Sequence, residues 1–190
     1  PALVRVTPGT WAGQHGASAP GALTAQTAEQ AGKFLAQTMK NAKLEVLVNE
    51  TTRRRPYENS GQIFLSPLGS AKEAAHELGH AIEVKVPGAK EAGQAFLQKR
   101  VGKEPLQQLN KVISGSDYGD LEKGRQDDFA KYFGQRRAWY VGKHYDNGQT
   151  EIISMGLEAL FEDPVGFAVK DPEYFRFITG ILNGSLRGAP

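Results

Sequence analysis

Ser70-Ala71-Lys72-Glu73-Ala74-Ala75-His76-Glu77-Leu78-Gly79-His80-Ala81-Ile82-Glu83 is the stretch on which the fold turns. Ser70 followed three residues later by Glu73 is a capping box, in which each side chain closes a backbone N–H of the other, so a helix starts at this serine. Ala71, Ala74, Ala75, Leu78, Ala81 and Ile82 recur at helical spacing and form one apolar face. Pro87-Gly88 stops the helix near Val86. His76 and His80 are four residues apart and therefore project one above the other from the same helix. Two imidazoles so placed can reach one tetrahedral Zn²⁺ at bonds of about 2.0–2.1 Å. Glu77, beside the first of them, is positioned to take a proton from water on that metal. H-E-x-x-H on a helix thus points to zinc hydrolysis, and to a metallopeptidase first of all.

Upstream of this helix, Ala28, Ala31, Phe34, Leu35 and Met39 mark an amphipathic helix over residues 24–40. Leu44-Glu45-Val46-Leu47-Val48 alternates as a strand does. Residues 53–61 read as a polar loop with Pro56 and an Asn59-Ser60-Gly61 turn, and Gln62-Ile63-Phe64-Leu65 as a second short strand. Downstream, helices are expected over residues 89–102, 104–113 and 150–161, with two more opened by Pro164 and Pro172. A polar loop spans 114–127 and a turn-rich stretch 142–149. This order gives an α+β class: a small sheet packed on the motif helix, then a helical C-terminal half. Residues 1–22, rich in Pro, Gly, Ala, Ser and Thr, read as an extended arm or linker, and residues 23–190 as one domain.

The chain has 190 residues, enough for one domain with a substantial core. Its net charge of +2 gives no support to a nucleic-acid partner. Arg53-Arg54-Arg55 is read as a solvated loop. There is no cysteine, which excludes disulfides and thiolate ligands and leaves His, Asp and Glu to hold a metal, as suits a catalytic site. No apolar run has the length of a membrane span and no signal-peptide pattern is present. A chain opening on Pro1 is expected to be a piece of a larger protein.

A catalytic zinc takes three protein ligands and keeps one position for water. Glu83 and Glu151 are the candidates for the third. Ligands at 76, 80 and 83 would spread over about 10 Å along one helix, too far for one ion, so Glu83 is better read as backing a ligand or as solvated. Glu151, 71 residues after His80, can approach from a separate helix.

Together, His76-Glu77-Leu78-Gly79-His80 and Glu151-Ile152-Ile153-Ser154 resemble the gluzincin pattern, in which H-E-x-x-H is completed by a downstream glutamate in an E-x-x-S or similar helix. Thermolysin-like peptidases are its best-known members. The wider stretch from Thr150 to Glu158, with Asp163-Pro164 and Asp171-Pro172-Glu173-Tyr174-Phe175, is similar to zincin-like domains of phage head-morphogenesis proteins and bacterial polymorphic toxins. Covering residues 44–182, the resemblance implies a minimal zincin-like metallopeptidase fold. It also implies zinc on His76, His80 and Glu151, Glu77 as general base, and a protein or peptide substrate in a phage or bacterial setting. It departs at Met155, where thermolysin-like enzymes carry an aspartate that orients a ligand histidine. Glu158 or Glu73 is the carboxylate available for that task here.

Peptide hydrolysis also calls for a donor to the carbonyl oxygen. Tyr145, His144 and Tyr140 lie just upstream of Glu151, and Tyr145 is preferred. Ile63, Phe64 and Leu65 are expected to form an edge strand on which an extended peptide pairs. The cluster Phe129, Tyr132, Phe133, Trp139 and Tyr140 is expected in the core sooner than in a specificity pocket. Two other functions fit the same motif: a phage structural accessory that keeps the fold without turnover, and a zinc hydrolase of a non-peptide amide. Glu77, which a purely structural site does not require, argues against the first.

Overall fold

The computed structural model describes residues 3–8, 17–40, 43–53, 55–127 and 131–186. Along the chain come β1 (Leu3–Pro8), β2 (Ala17–Ser18), α1 (Ala22–Thr38), β3 (Lys43–Thr51), β4 (Tyr57–Asn59) and β5 (Gln62–Leu65). Next are α2 (Ala71–Lys85), α3 (Ala89–Val101), β6 (Gln107–Gln108), α4 (Leu109–Val112) and β7 (Lys123–Gly124). The last four are α5 (Gln135–Val141), α6 (Ile152–Glu162), α7 (Pro164–Lys170) and α8 (Pro172–Asn183). The class is α+β, with a small mixed sheet at the N-terminal end and helices dominating the rest.

Strands β1, β3, β5 and β4 lie side by side in that order, and β2 pairs with the far end of β3. Both β1 and β5 run parallel to β3, with Val6 opposite Val46 and Ile63 opposite Val48. The two-residue period of β3 buries Leu44, Val46 and Val48. They join Ile63 and Leu65 in a core closed by Ala28, Ala31 and Leu35 of α1 and by Ala74, Ala75, Leu78, Ala81 and Ile82 of α2. The capping box at the start of α2 is made in full: Ser70 Oγ accepts from Glu73 N–H at 3.2 Å and Glu73 Oε2 accepts from Ser70 N–H at 2.7 Å.

Four expectations are corrected. Residues 3–8 of the supposed arm are a strand of the sheet, because Leu3-Val4-Arg5-Val6-Thr7 finds a parallel partner in β3; residues 9–16 lie outside the described residues. The loop at 53–61 contains β4, joined to β5 by the two-residue turn Ser60-Gly61, both with positive φ (55° and 77°) as a type I′ hairpin requires. In consequence β5 is flanked by β3 and β4: Ile63, Phe64 and Leu65 are buried, Ile63 and Phe64 paired on both sides and Leu65 with β3. They do not offer the peptide edge assigned to them; among the described residues, that edge belongs to β4. The helix expected over 104–113 shrinks to α4, preceded by β6, which pairs with β7 further along the chain.

In the C-terminal half, α6 is buried from Ile152 to Leu160. A helix apolar all round is an interior helix, and α2, α3, α7 and α8 surround this one. Tyr132 and Phe133 are partly buried and pack against the core residues Phe167 and Tyr174 beside it; Trp139 and Tyr140 are also partly buried, Tyr140 in the walls of the cavities, and Phe129 lies outside the described residues. The Asp163-Pro164 and Asp171-Pro172 steps start α7 and α8, each aspartate capping its helix. Arg100 of α3 bonds both oxygens of Asp171, at 3.1 and 2.9 Å, and Asp127, tying α3 to the start of α8. Among the described residues no helix is long and apolar enough to cross a membrane.

Candidate metal centre

Helices α2 and α6 cross at a point set by Gly79. A Cβ there would lie 2.4 Å from Ser154 Cα and 3.0 Å from Ile153 O, so only a glycine lets the two backbones come this close. The close approach brings the first turn of α6 under the histidine face of α2. Glu151, the residue that opens α6, is fully buried, and its Oε2 lies 3.3 Å from His76 Nε2 and 3.2 Å from His80 Nε2. The three side chains form a group that could hold a metal ion.

Each member has its own support. Glu158, further along α6 on the face that carries Glu151, places its Oε2 3.1 Å from His76 Nδ1, and Arg137 of α5 donates to its other oxygen. Lys72 adds a weaker contact with Glu158 at 3.8 Å. Ser154 Oγ donates to Glu151 Oε2 at 2.8 Å, and the Tyr145 hydroxyl donates to Glu151 Oε1. Glu83 accepts from Thr150, the residue before Glu151, and its Oε2 lies 4.0 Å from His80 Nδ1.

The electrostatics follow from burial and pairing. Burial alone would raise Glu151, but the two imidazoles outweigh it and hold its carboxyl well below the usual range. Burial alone would lower His76; Glu151 and Glu158 overcome it and hold the ring up at about 10. Glu77 is raised by burial, with His76 and His80 drawing it back. Burial and the neighbouring Glu151 charge push both Tyr145 and Tyr140 up, keeping their hydroxyls protonated as donors.

Glu77 lies between two adjoining cavities of about 290 and 530 Å³ that share Arg55, Pro56, His76, Glu77 and Tyr140 in their walls. The smaller reaches His80, Tyr145 and Glu151, and is bordered by Tyr57 and Glu58 of the edge strand β4. The larger extends past Tyr118, Arg137 and Glu158. Lys143 Nζ sits over the rings of Tyr145, Tyr118 and Tyr140 at 4.9, 5.3 and 5.9 Å and pairs with Glu122 at 2.8 Å.

Of the other residues that the sequence nominates, some fall outside the site and some enter it in a different role. Glu73 is engaged with Ser70 in the cap and does not back a histidine. His144 is half exposed and lies 3.5 Å from Asp146, away from the cavity walls. Tyr145 is in the site, but its hydroxyl holds Glu151, so its placement favours fixing the carboxylate over meeting a substrate carbonyl. Tyr140, whose ring lies along that of His76 at 6.0 Å, lines both cavities. Arg137, Lys143, Tyr118 and the pairing of Arg55 with Asp117 at 3.9 Å have no local signature, since each joins segments far apart in the chain.

Glu158→Gln gives a direct check on the support of His76. The amide still accepts one hydrogen bond but loses its charge and its hold on Arg137. With zinc as the probe, any affinity of the His76, His80 and Glu151 group for the metal is expected to fall about 10- to 100-fold, measured by chelator competition, and an unchanged affinity would assign Glu158 to packing alone.

No protein-family model, no curated protein and no solved structure matches the chain. The chemistry of the site therefore rests on its own residues.

Proposed function

We propose that the protein is a zinc endopeptidase of the gluzincin type, with His76, His80 and Glu151 as ligands and Glu77 as general base. What supports this most is the convergence of those three side chains with Glu77 beside them at the meeting point of two cavities. Two imidazole nitrogens and one carboxylate are a donor set that suits zinc. Ligand atoms around a tetrahedral zinc with bonds of about 2.0–2.1 Å stand about 3.3–3.4 Å apart, and the Glu151 oxygen stands 3.3 and 3.2 Å from the two ring nitrogens.

When bound, zinc supplies a lowered pKa for a coordinated water and polarisation of a substrate carbonyl. Glu77 accepts the proton released as water attacks the peptide carbon and returns it to the departing amine. Its burial, which raises its carboxyl, suits a group that must first take and then give a proton. Tyr140, which lines both cavities, is the donor assigned to the carbonyl oxygen, exchanging its bond to Glu151 for one to the substrate; Tyr145 stays on Glu151 and His144 lies outside the cavities. The outer edge of β4, with Tyr57 and Glu58 in the cavity wall, offers backbone groups to an extended peptide, which favours a protein or peptide substrate over a small amide.

Elemental analysis of the purified protein tests the ligand set. About one zinc per chain is expected, and Glu151→Ala is expected to lose it. Incubation of the zinc-loaded protein with a mixed peptide library then tests the reaction. Cleavage at internal bonds supports the endopeptidase; zinc without cleavage of any peptide would shift the reading to a non-peptide amide or a structural role. A wild type that takes up no zinc, even after reconstitution, would remove the peptidase reading altogether.

A further inference from the structure

Glu83 is buried at 2 % exposure, three residues beyond His80 on α2, and its carboxylate turns toward the start of α6. Oε1 accepts from Thr150 N–H at 3.0 Å and from Thr150 Oγ1 at 2.7 Å. Oε2 lies 3.1 Å from the same N–H and 4.0 Å from His80 Nδ1. Thr150 Oγ1 accepts in turn from the N–H of Ile152, the first residue of α6, at 3.3 Å. Gly93 of α3 closes the corner: a Cβ there would stand 3.2 Å from Thr150 Oγ1 and 3.3 Å from Glu83 Oε1. One carboxylate thus grips the residue before Glu151 and faces the back of His80.

Packing does not account for a carboxylate here. A buried charge costs free energy unless its partners are in place, and apolar residues of like volume fill such corners at least as well. What a carboxylate adds is directional: it accepts from both the backbone and the hydroxyl of one residue, and it can accept from an imidazole N–H.

We propose, resting on the reading of His76, His80 and Glu151 as zinc ligands, that Glu83 is a positioning residue for the metal centre, clamping Thr150 so that Glu151 meets the two histidines. A ligand histidine is oriented by what its second ring nitrogen touches. Glu158 serves His76 in this way, and Glu83 faces the corresponding nitrogen of His80 while fixing Glu151 through its neighbour. The same side chain is therefore placed against two of these residues on different helices, Glu151 through Thr150 and His80 at 4.0 Å.

Zinc itself is the probe. Its affinity is measured by chelator competition for the wild type, Glu83→Gln, Thr150→Val, Thr150→Ser and the double variant Glu83→Gln/Thr150→Val, alongside thermal unfolding of the metal-free proteins and visible spectra of the cobalt-loaded ones. Glu83→Gln is expected to weaken zinc binding about 10- to 100-fold and to shift the cobalt bands, while the metal-free melting temperature stays near that of the wild type. Thr150→Val is expected to weaken zinc binding and Thr150→Ser to restore it. The double variant is expected to bind little worse than Glu83→Gln alone, because the two groups act as one unit. Equal affinity in Glu83→Gln and wild type, effects that multiply in the double variant, or a loss that merely tracks a fall in metal-free stability would each overturn the proposal and leave the metal site standing. A wild type that binds no zinc removes the metal reading, and this one with it.

Discussion

Gly79→Ala is expected to lower the stability of the protein by about 2 kcal/mol or more and to weaken zinc binding by over about 100-fold. The added Cβ would lie 2.4 Å from Ser154 Cα, 2.8 Å from Ser154 N and 3.0 Å from Ile153 O. These are backbone atoms and cannot rotate out of the way. Two effects oppose each other. Alanine in place of glycine favours a helix by about 1 kcal/mol, while overpacking a tight core costs about 1–3 kcal/mol and occasionally more, the upper end applying when the neighbour is rigid. Here the neighbour is rigid: α6 is enclosed along its length, and Tyr174 OH donates to Ile152 O at 2.5 Å on its other side. The clash therefore wins. For a domain of this size, 2 kcal/mol corresponds to a fall in melting temperature of roughly 4–8 °C. Separation of the two helices also moves Glu151 away from His76 and His80, so affinity falls further than stability alone would take it. Differential scanning calorimetry and chelator competition check both parts. An alanine variant that melts and binds zinc as the wild type does would show slack at the crossing.

Glu77→Gln is expected to keep about one zinc per chain and to reduce peptide hydrolysis by about 10²- to 10⁴-fold, the usual contribution of a general acid–base group. The amide matches the carboxylate in shape and cannot accept a proton. Because burial disfavours the charged form of Glu77, removing that charge should leave the melting temperature unchanged or slightly higher. Turnover within tenfold of the wild type, with zinc in place, would take the base role away from Glu77.

Signals that act locally in the chain are the legible ones. The capping box and Pro87 bound α2 closely, and the two Asp-Pro steps mark the starts of α7 and α8, because caps and prolines act over three or four residues. The period of two in Leu44–Val48 and the apolar run of α6 are equally plain. What escapes depends on partners distant in sequence. Leu3–Pro8 becomes a strand only because β3 accepts it, and β5 becomes interior only because the Ser60-Gly61 turn folds β4 onto it. The rise of an α-helix suffices to set Glu83 apart from the ligands, but nothing local announces Thr150 as its partner. Proximity in the chain places Tyr145 near Glu151; that its hydroxyl bonds the carboxylate depends on how the segment after α5 returns to the site. Arg100 gives no sign of its role, since Asp127 and Asp171 meet it from 27 and 71 positions away.

The hydrogen bond between Thr150 and Glu83 joins residues 67 positions apart. The chain leaves α2 at Pro87 and comes back at Thr150 to nearly the point of departure, so residues 89–149 form a closed excursion stapled at its base. Loop-closure entropy grows only with the logarithm of length, which makes the length of such an excursion thermodynamically inexpensive to change. Tyr118, Arg137, Tyr140, Lys143 and Tyr145, which wall the cavities, all lie on it, while His76, Glu77, His80, Glu151 and Glu158 lie outside it. Much of the cavity wall and the group that could hold a metal are thus written in separate stretches of chain, with residues 55–58 completing the wall from outside the excursion. Insertions, deletions or exchanges within the excursion are expected to alter what the cavities admit, while the two helices that bring His76, His80 and Glu151 together remain, provided the staple and the contacts of Arg137 and Tyr145 are kept.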